Sequence, residues 1–291
     1  MKKRVVCAAL VSIMTMSLAA CSGGAVSAPA ETKAESTEAK TEAAETTEKA
    51  VEAEGETKVE GGTLIVGFDQ DFPPMGFMGD DGEYTGFDLE LAQEAAKRLG
   101  LEYKPQPIAW DAKDMELESG NIDCIWNGFT MTGREDGYTW SEPYMENSQV
   151  FVVAGDSGIK SQADLAGKVV ECQVDSSAEA ALKEVPDLTA TFAQLLTTAD
   201  YNTAFMDLEQ GAVDAIAMDV VVAGYQISQR NADFVILEDS LAAEEYAIGF
   251  KKGNTELKDK VQGALEEMAA DGTLKTISEK WFGKDITTIG K

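Results

Sequence analysis

The 291-residue chain carries 24 lysines and arginines against 52 aspartates and glutamates, a formal net charge of −28, with 44% hydrophobic and 8% aromatic residues. The apolar fraction suffices for a packed core of one large or two medium domains, while the acidity argues against nucleic acid or anionic lipid as partners, since both call for basic patches. Histidine is absent, which excludes a Ser-His-Asp triad and leaves carboxylates, lysines or cysteines for any chemistry.

In chain order, MKKRVVCAALVSIMTMSLAAC sets Lys2, Lys3 and Arg4 before an uncharged apolar run, the charge order of a secretory signal. Its end, LAAC, resembles the bacterial lipoprotein processing site, which implies a signal peptide over 1–20 and a diacylated Cys21. An ordinary signal peptide cut near Ala20, or a transmembrane anchor, is the alternative. Residues 22–60 hold ten glutamates, four lysines, three valines and no aromatic residue. So polar a segment cannot bury enough surface to offset its ordering entropy, so 21–61 reads as a lipidated cysteine followed by a disordered acidic tether. Two acyl chains hold a protein on a membrane stably where one does not.

From Gly61 onward, short apolar runs alternate with helical patterns. TLIVGF, IDCIWNGF, QVFVVAG, KVVECQ, AVDAIAMD and FVILE are bounded by Gly, Asp or Ser and read as buried strands. DLELAQEAAKRLG places Leu89, Ala92, Ala96 and Leu99 on one helical stripe, with Asp88 as N-cap and Gly100 as stop. The alternation predicts an α/β fold with mostly parallel strands. LESGNIDCI (117–125) and LEQGAVDAI (208–216) share L-E-x-G-x-[IV]-D-x-I, which predicts two similar lobes. Ligands of open α/β sheets gather at the carboxyl ends of strands, so Asn127 to Thr130 and Asp219 are expected to face one cleft. Cys124 and Cys172 sit in apolar runs as buried thiols, and no cysteine pair has the spacing of a zinc site or redox dithiol. No metal and no cofactor is expected.

GTLIVGFDQDFPPMGF, GEYTGFDLELAQEAAKRLG, GFTMTGRE, YTWSEPY and DGTLKTISEKWFG stand in this order across 62–285. Together they resemble the family 3 extracellular solute-binding proteins of polar amino-acid ABC transporters. The resemblance implies a two-lobed, type II periplasmic-binding-protein-like fold. Its lobes would be 62–143 plus 247–285 and 149–243, with hinges at 144–148 and 244–246. It also implies a monomer on the outer face of the membrane that binds a free polar L-amino acid and delivers it to a permease. The chain has no nucleotide-binding GxxxxGK[ST] loop.

An amino acid brings a carboxylate and an ammonium, and each asks for a fixed opposite charge. Arg134 has the planar fork for the carboxylate, unless it pairs instead with Glu135 or Asp136. The resemblance gives Thr130 and the N–H groups around Gly128 the same task, and gives Asp219 the ammonium, although Asp219 could also cap the following helix. Ser176 and Ser177 offer amides at a helix start. By resemblance Phe72 and Trp110 are aromatic walls, Asp69 reads the side chain or orients the ammonium, and Gln173 is a neutral side-chain reader. Asn127 is a further side-chain reader, while Tyr84, Tyr144, Trp281 and Trp126 are packing residues. The alternative function is a secreted cyclohexadienyl-dehydratase-like enzyme with Asp69, Glu171 or Asp219 as general acid; no pattern in the sequence marks any of them for a raised pKa. Which amino acid is bound stays open among glutamine, cystine and the basic amino acids.

Overall fold

The computed structural model describes residues 62–291; the signal segment, Cys21 and the acidic linker expected from the sequence lie outside them. The strands are β1 (Thr63–Phe68), β2 (Asp71–Phe72), β3 (Gly76–Met78), β4 (Tyr84–Thr85), β5 (Glu102–Pro107), β6 (Cys124–Ile125), β7 (Thr139–Trp140), β8 (Met145–Ala154), β9 (Val169–Gln173), β10 (Gln194–Thr198), β11 (Ala215–Asp219), β12 (Phe234–Ile236), β13 (Ala242–Tyr246) and β14 (Gly249–Phe250). The helices are α1 (Phe87–Arg98), α2 (Lys113–Ser119), α3 (Ser177–Glu184), α4 (Pro186–Thr189), α5 (Tyr201–Gln210), α6 (Val220–Gln229), α7 (Thr255–Asp271) and α8 (Thr273–Phe282).

Two mixed sheets make two α/β lobes. The first has the order β5-β1-β6-β14-β7 and the second β10-β9-β11-β8-β12, with β13 also paired to β8. A small antiparallel sheet, β2-β3-β4, lies beside the first. The expectation of mostly parallel strands is corrected here. The β1, β5, β6 group and the β9, β10, β11 group are parallel, but β14 runs antiparallel to both neighbours and β8 to all three of its partners. Strands that enter a sheet without a crossover helix are free to run antiparallel. β8 and β13, paired from Met145↔Tyr246 to Gln149↔Ala242, lie at the passage between the lobes.

The repeated nonapeptide is a repeated structure. α2 ends at Gly120 (φ +77) and α5 at Gly211 (φ +71), both left-handed, as glycine permits. The aspartate of each copy then does the same work. The Asp123 carboxylate accepts the Ile65 N–H at 2.7 Å while its own N–H donates to the Ile65 carbonyl; Asp214 repeats both bonds with Val169. Each copy thereby locks the neighbouring parallel strand in register.

α1 packs Leu91, Ala92, Ala95 and Ala96, all fully buried, into the core beside Leu64, Val66 and Phe68 of β1. Gly100 closes the helix with φ +68, as expected, but Gly86 rather than Asp88 occupies the N-cap. Asp88 lies inside the first turn and points to the cleft floor. Cys124 and Cys172 are free and buried in separate clusters, and burial pushes the Cys172 thiol up to about 12. Trp126 is fully buried, its ring centroid 6.3 Å from that of Tyr144.

Candidate functional site

The cleft between the lobes is drawn nearly shut, leaving a cavity of about 10 Å³ between its walls. Asp69, Phe72, Trp110, Asn127, Gly128, Thr130 and Arg134 line it from the first lobe, and Gln173, Ser176, Ser177 and Asp219 from the second. Every ligand-binding residue expected from the sequence therefore lies on one surface.

The floor is the turn after β6. Gly128 has φ +57, and a Cβ there would come within 3.0 Å of the Tyr246 ring and 3.1 Å of Phe72, so the position requires glycine. Its N–H is not free for a guest: it donates at 2.5 Å to Asp88, which also accepts the Tyr144 hydroxyl at 2.8 Å. This corrects the expectation that the Gly128 amide holds a carboxylate. Complete burial pushes the Asp88 carboxyl up to about 7 against those two bonds. Tyr144, assigned to packing, is thus also a hydrogen-bond donor under the site. By contrast Asn127 Oδ1 and Thr130 Oγ1 are buried and have no protein partner. Such atoms are rare in folded proteins, and two on one cavity mark where a polar guest fits.

Arg134 stands half-buried at the rim. Its guanidinium donates to the Thr130 carbonyl at 3.2 Å and to the Asp175 carbonyl of the opposite lobe at 3.4 Å, and lies 5.3 Å from the Phe129 ring centre. These partners are neutral, so the alternative pairing with Glu135 or Asp136 is not formed. Glu135 turns back to the Gly133 N–H instead.

The second lobe supplies the other pole. Asp219, 2% exposed, ends β11. It stands at the N-cap position of α6, but its side chain makes no capping bond. Instead Oδ1 accepts from Asn147 at 2.8 Å, Gln149 at 2.8 Å and the Tyr246 hydroxyl at 2.6 Å. All three donors reach the same oxygen, leaving Oδ2 for the cavity. Burial first, and the neighbouring Glu244 carboxylate second, raise this carboxyl well above the usual range.

Ser176 caps α3: its hydroxyl accepts the Glu179 N–H at 3.1 Å and donates to the Gln173 carbonyl at 2.7 Å. The Ser177 hydroxyl accepts from Gln149 at 2.9 Å. The Ser177 and Ala178 amides that open α3 have no intrahelical acceptor and remain available. Gln173 and Asp69 meet across the cleft at 2.6 Å, and Gln173 also donates to the Ala199 carbonyl at 2.9 Å. Burial pushes Asp69 up to about 6 despite bonds from Asp71 and Gln173, and burial likewise raises Glu171 to about 6. The three carboxyls that the sequence left unmarked are therefore all raised by burial first, Asp69 and Asp219 against their hydrogen bonds and Glu171 with the Asp207 and Asp200 charges adding to it. Glu171, on β9, does not line the cavity.

Several residues of the site escaped the sequence reading. Lys113 of α2, 2% exposed, reaches across to the Asp175 carboxylate and stacks 5.1 Å from the Trp110 ring centre. Asn147, Gln149, Glu244 and Tyr246 form the polar bed beneath Asp219. Their signal was present as period-two polar positions, 147 and 149 on one strand and 244 and 246 on its partner.

The family model of the bacterial extracellular solute-binding proteins, family 3, matches residues 64–284. The L-cystine-binding protein TcyJ of Escherichia coli strain K12 is 36% identical over 231 residues, covering 78% of this chain and 85% of that protein. The L-cystine-binding protein TcyA of Bacillus subtilis strain 168 is 33% identical over 237 residues, 78% of this chain and 83% of that protein. Among solved structures, an ABC uptake transporter substrate-binding protein from Streptococcus pneumoniae with bound histidine superposes with a TM-score of 0.76 at 36% identity, over 78% of this chain and 94% of that one.

Proposed function

This chain belongs to the family 3 bacterial extracellular solute-binding proteins, and from that membership we propose that it binds one free polar L-amino acid between its lobes and presents it to an ABC transporter permease. The lobes of this reading are 62–143 plus 247–285 and 149–243, hinged at 144–148 and 244–246. One observation carries it: the cavity has an arginine without a carboxylate partner on one lobe and a carboxylate with one oxygen unengaged on the other. That is the complement of a zwitterion. Arg134 and the α3 amides hold the carboxylate, Asp219 Oδ2 and Thr130 the ammonium, and Phe72 and Trp110 flank the carbon skeleton.

Closure follows from the placement of the two poles. A guest touching both lobes favours the closed form by its differential affinity for it, and a shift from 1:99 to 99:1 requires about 5.5 kcal/mol. Two charge-assisted contacts at opposite ends of one small molecule provide energy of that order. Beyond Asp69 the cleft opens past Asp71, Asp111 and Asp200 with no lysine or arginine on its lining. This disfavours an acidic side chain and suits a neutral or cationic one, and the names of the cystine-binding relatives make L-cystine the first candidate. The N-terminal reading completes the proposal: lipid at Cys21 keeps the body on the outer face of the membrane. A Cys21→Ser protein found in the soluble fraction would support this, and one retained on membranes would refute it.

The experiment is thermal denaturation against the twenty L-amino acids and L-cystine. Stabilisation by one or a few of them is expected, and none by sugars or divalent metals. A panel without a shift would overturn the reading. The raised carboxyls Asp69 and Asp219 favour a second reading, an acid-catalysed dehydratase. Turnover of a cyclohexadienyl substrate would select it, but both groups are already bonded, Asp69 to Gln173 and Asp219 to three donors.

A further inference from the structure

The bed beneath Asp219 contains a second carboxylate that amino-acid binding does not itself require. Glu244, 7% exposed, lies on β13 opposite Asn147 of β8. Asn147 donates at 2.8 Å to Asp219 Oδ1 and at 2.5 Å to Glu244 Oε1; Gln149 donates to the same two oxygens at 2.8 Å each. Two amides thus bridge two buried carboxyl groups, on the paired strands that lie between the lobes.

Charge decides what such a pair can be. The groups that face it are Tyr246 from β13, Tyr201 from α5, the neutral Asn147 and Gln149 from β8, and Ser177 from α3. Asp69 and Arg134 lie on the far wall of the cavity. Glu146 and Glu245, the next residues on the two strands, point to solvent. No lysine or arginine bonds either carboxyl among the described residues. Two buried like charges sharing the same donors cannot both ionise without a cation, and such pairs hold one proton between them. Amides that donate to both acids fix the oxygens close together but bring no compensating positive charge.

We propose that Glu244 is a positioning residue that shares one proton with Asp219, and that docking of an amino-acid ammonium on Asp219 Oδ2 displaces this proton to solvent. The step is a proton exchange alone. The O–H bond of the pair breaks, the proton passes to water or buffer, and the incoming ammonium keeps its own three protons and becomes the cation that lets both carboxylates ionise. Binding, and with it closure across β8 and β13, is thereby tied to pH: affinity rises with pH through the range where the free pair holds its proton, by up to tenfold per unit for one proton released. A bed of a single carboxylate, raised by burial alone, would show this dependence only at lower pH.

The inference rests on the amino-acid reading above, and its test separates the two. Titration calorimetry with L-cystine, and L-arginine as second probe, would be run in phosphate and in bis-Tris from about pH 6 to 7.5. Expected are heats that differ between the buffers, reporting a released proton, and a Kd that falls as pH rises. In Glu244→Gln the pH slope should move to lower pH, and the buffer difference at a given pH should shrink, while either probe still binds. Should that variant not fold, the infrared difference spectrum of the wild-type protein on adding L-cystine should lose a protonated-carboxyl C=O band. Binding with equal heats in both buffers and a flat Kd overturns the proton exchange but leaves amino-acid binding standing. A slope that stays unmoved along the pH axis in Glu244→Gln removes Glu244 from it. Binding of neither probe, nor of any amino acid in the thermal panel, removes the reading on which the inference rests.

Discussion

Replacing Arg134 by alanine isolates the carboxylate pole of the proposed clamp. Its guanidinium contacts the Thr130 and Asp175 carbonyls and the Phe129 ring, and the side chain is half-buried. Neither carbonyl is charged, so truncation leaves no orphaned buried ion and should change ligand-free stability by less than about 1 kcal/mol. Binding is different. The variant would ask an α-carboxylate to leave water without a cation, and losing one partner of a hydrogen-bonded charge pair costs about 2 to 4 kcal/mol at a partly exposed site. That is roughly a 30- to 900-fold rise in Kd. Arg134→Lys should fall between wild type and alanine, because it restores charge without the two-pronged geometry. Titration calorimetry of the three proteins with L-cystine, alongside thermal denaturation of each alone, separates affinity from stability. A Kd for Arg134→Ala within threefold of wild type would refute the reasoning and take Arg134 out of the site.

Asp88 and Asp69 carry raised carboxyl pKa values, about 7 and about 6, with burial the first cause. A raised acid binds its proton more tightly when folded, so its contribution is present at low pH and lost as pH rises from about 4 through those values, by up to about 1.4 kcal/mol per group per unit. Ligand-free melting temperature should therefore fall from pH 5 to pH 8; a flat or rising profile contradicts it. Asp271, lowered to about 2 by Thr273 and then Arg98, acts only below that window. Asp175→Asn keeps a residue tolerant of its left-handed φ of +55 but removes the Lys113 partner across the cleft. Because Asp175 is 55% exposed, a loss of about 1 kcal/mol in ligand affinity is expected, roughly fivefold in Kd, with a larger open fraction in solution scattering; unchanged scattering and Kd would show that the contact does not bias closure. Gly128→Ala should destabilise by about 1 to 3 kcal/mol in urea unfolding, through the φ of +57 and contacts of 3.0 and 3.1 Å with Tyr246 and Phe72, and a neutral effect would mean the turn can move.

The sequence carried the architecture where its patterns were local. The nonapeptide repeat marked two equivalent helix-glycine-strand units, and the ends of their strands placed Thr130 and Asp219 in one cleft. It failed where an element's character depends on its neighbours. β5 reads against a strand because of Pro105 and Pro107, yet it sits at the sheet edge and pairs with β1 alone, where missing N–H groups are tolerated. β10, an edge strand with exposed Leu195, lacks an apolar run for the same reason. Asp88 stands two residues after the residue that caps its helix, and only the three-dimensional approach of Gly128 and Tyr144 gives it another role. Lys113 carries no periodic signal because its partner, Asp175, lies 62 residues away on the other lobe. Glu244 lay in a segment legible as a hinge, but its sharing of donors with Asp219 depends on the β8–β13 register.

The central claim is that Arg134 and Asp219 recognise the two charged ends of one free amino acid. The most direct measurement compares the Kd of the most strongly stabilising L-amino acid with those of its α-carboxamide and its N-acetyl derivative, in wild type and in Arg134→Ala. Each derivative should bind wild type at least roughly 30-fold more weakly, and the carboxamide penalty should shrink in Arg134→Ala, to what the α3 amides retain, while the N-acetyl penalty remains. Derivatives that bind as tightly as the parent, or a carboxamide penalty undiminished without Arg134, would contradict it.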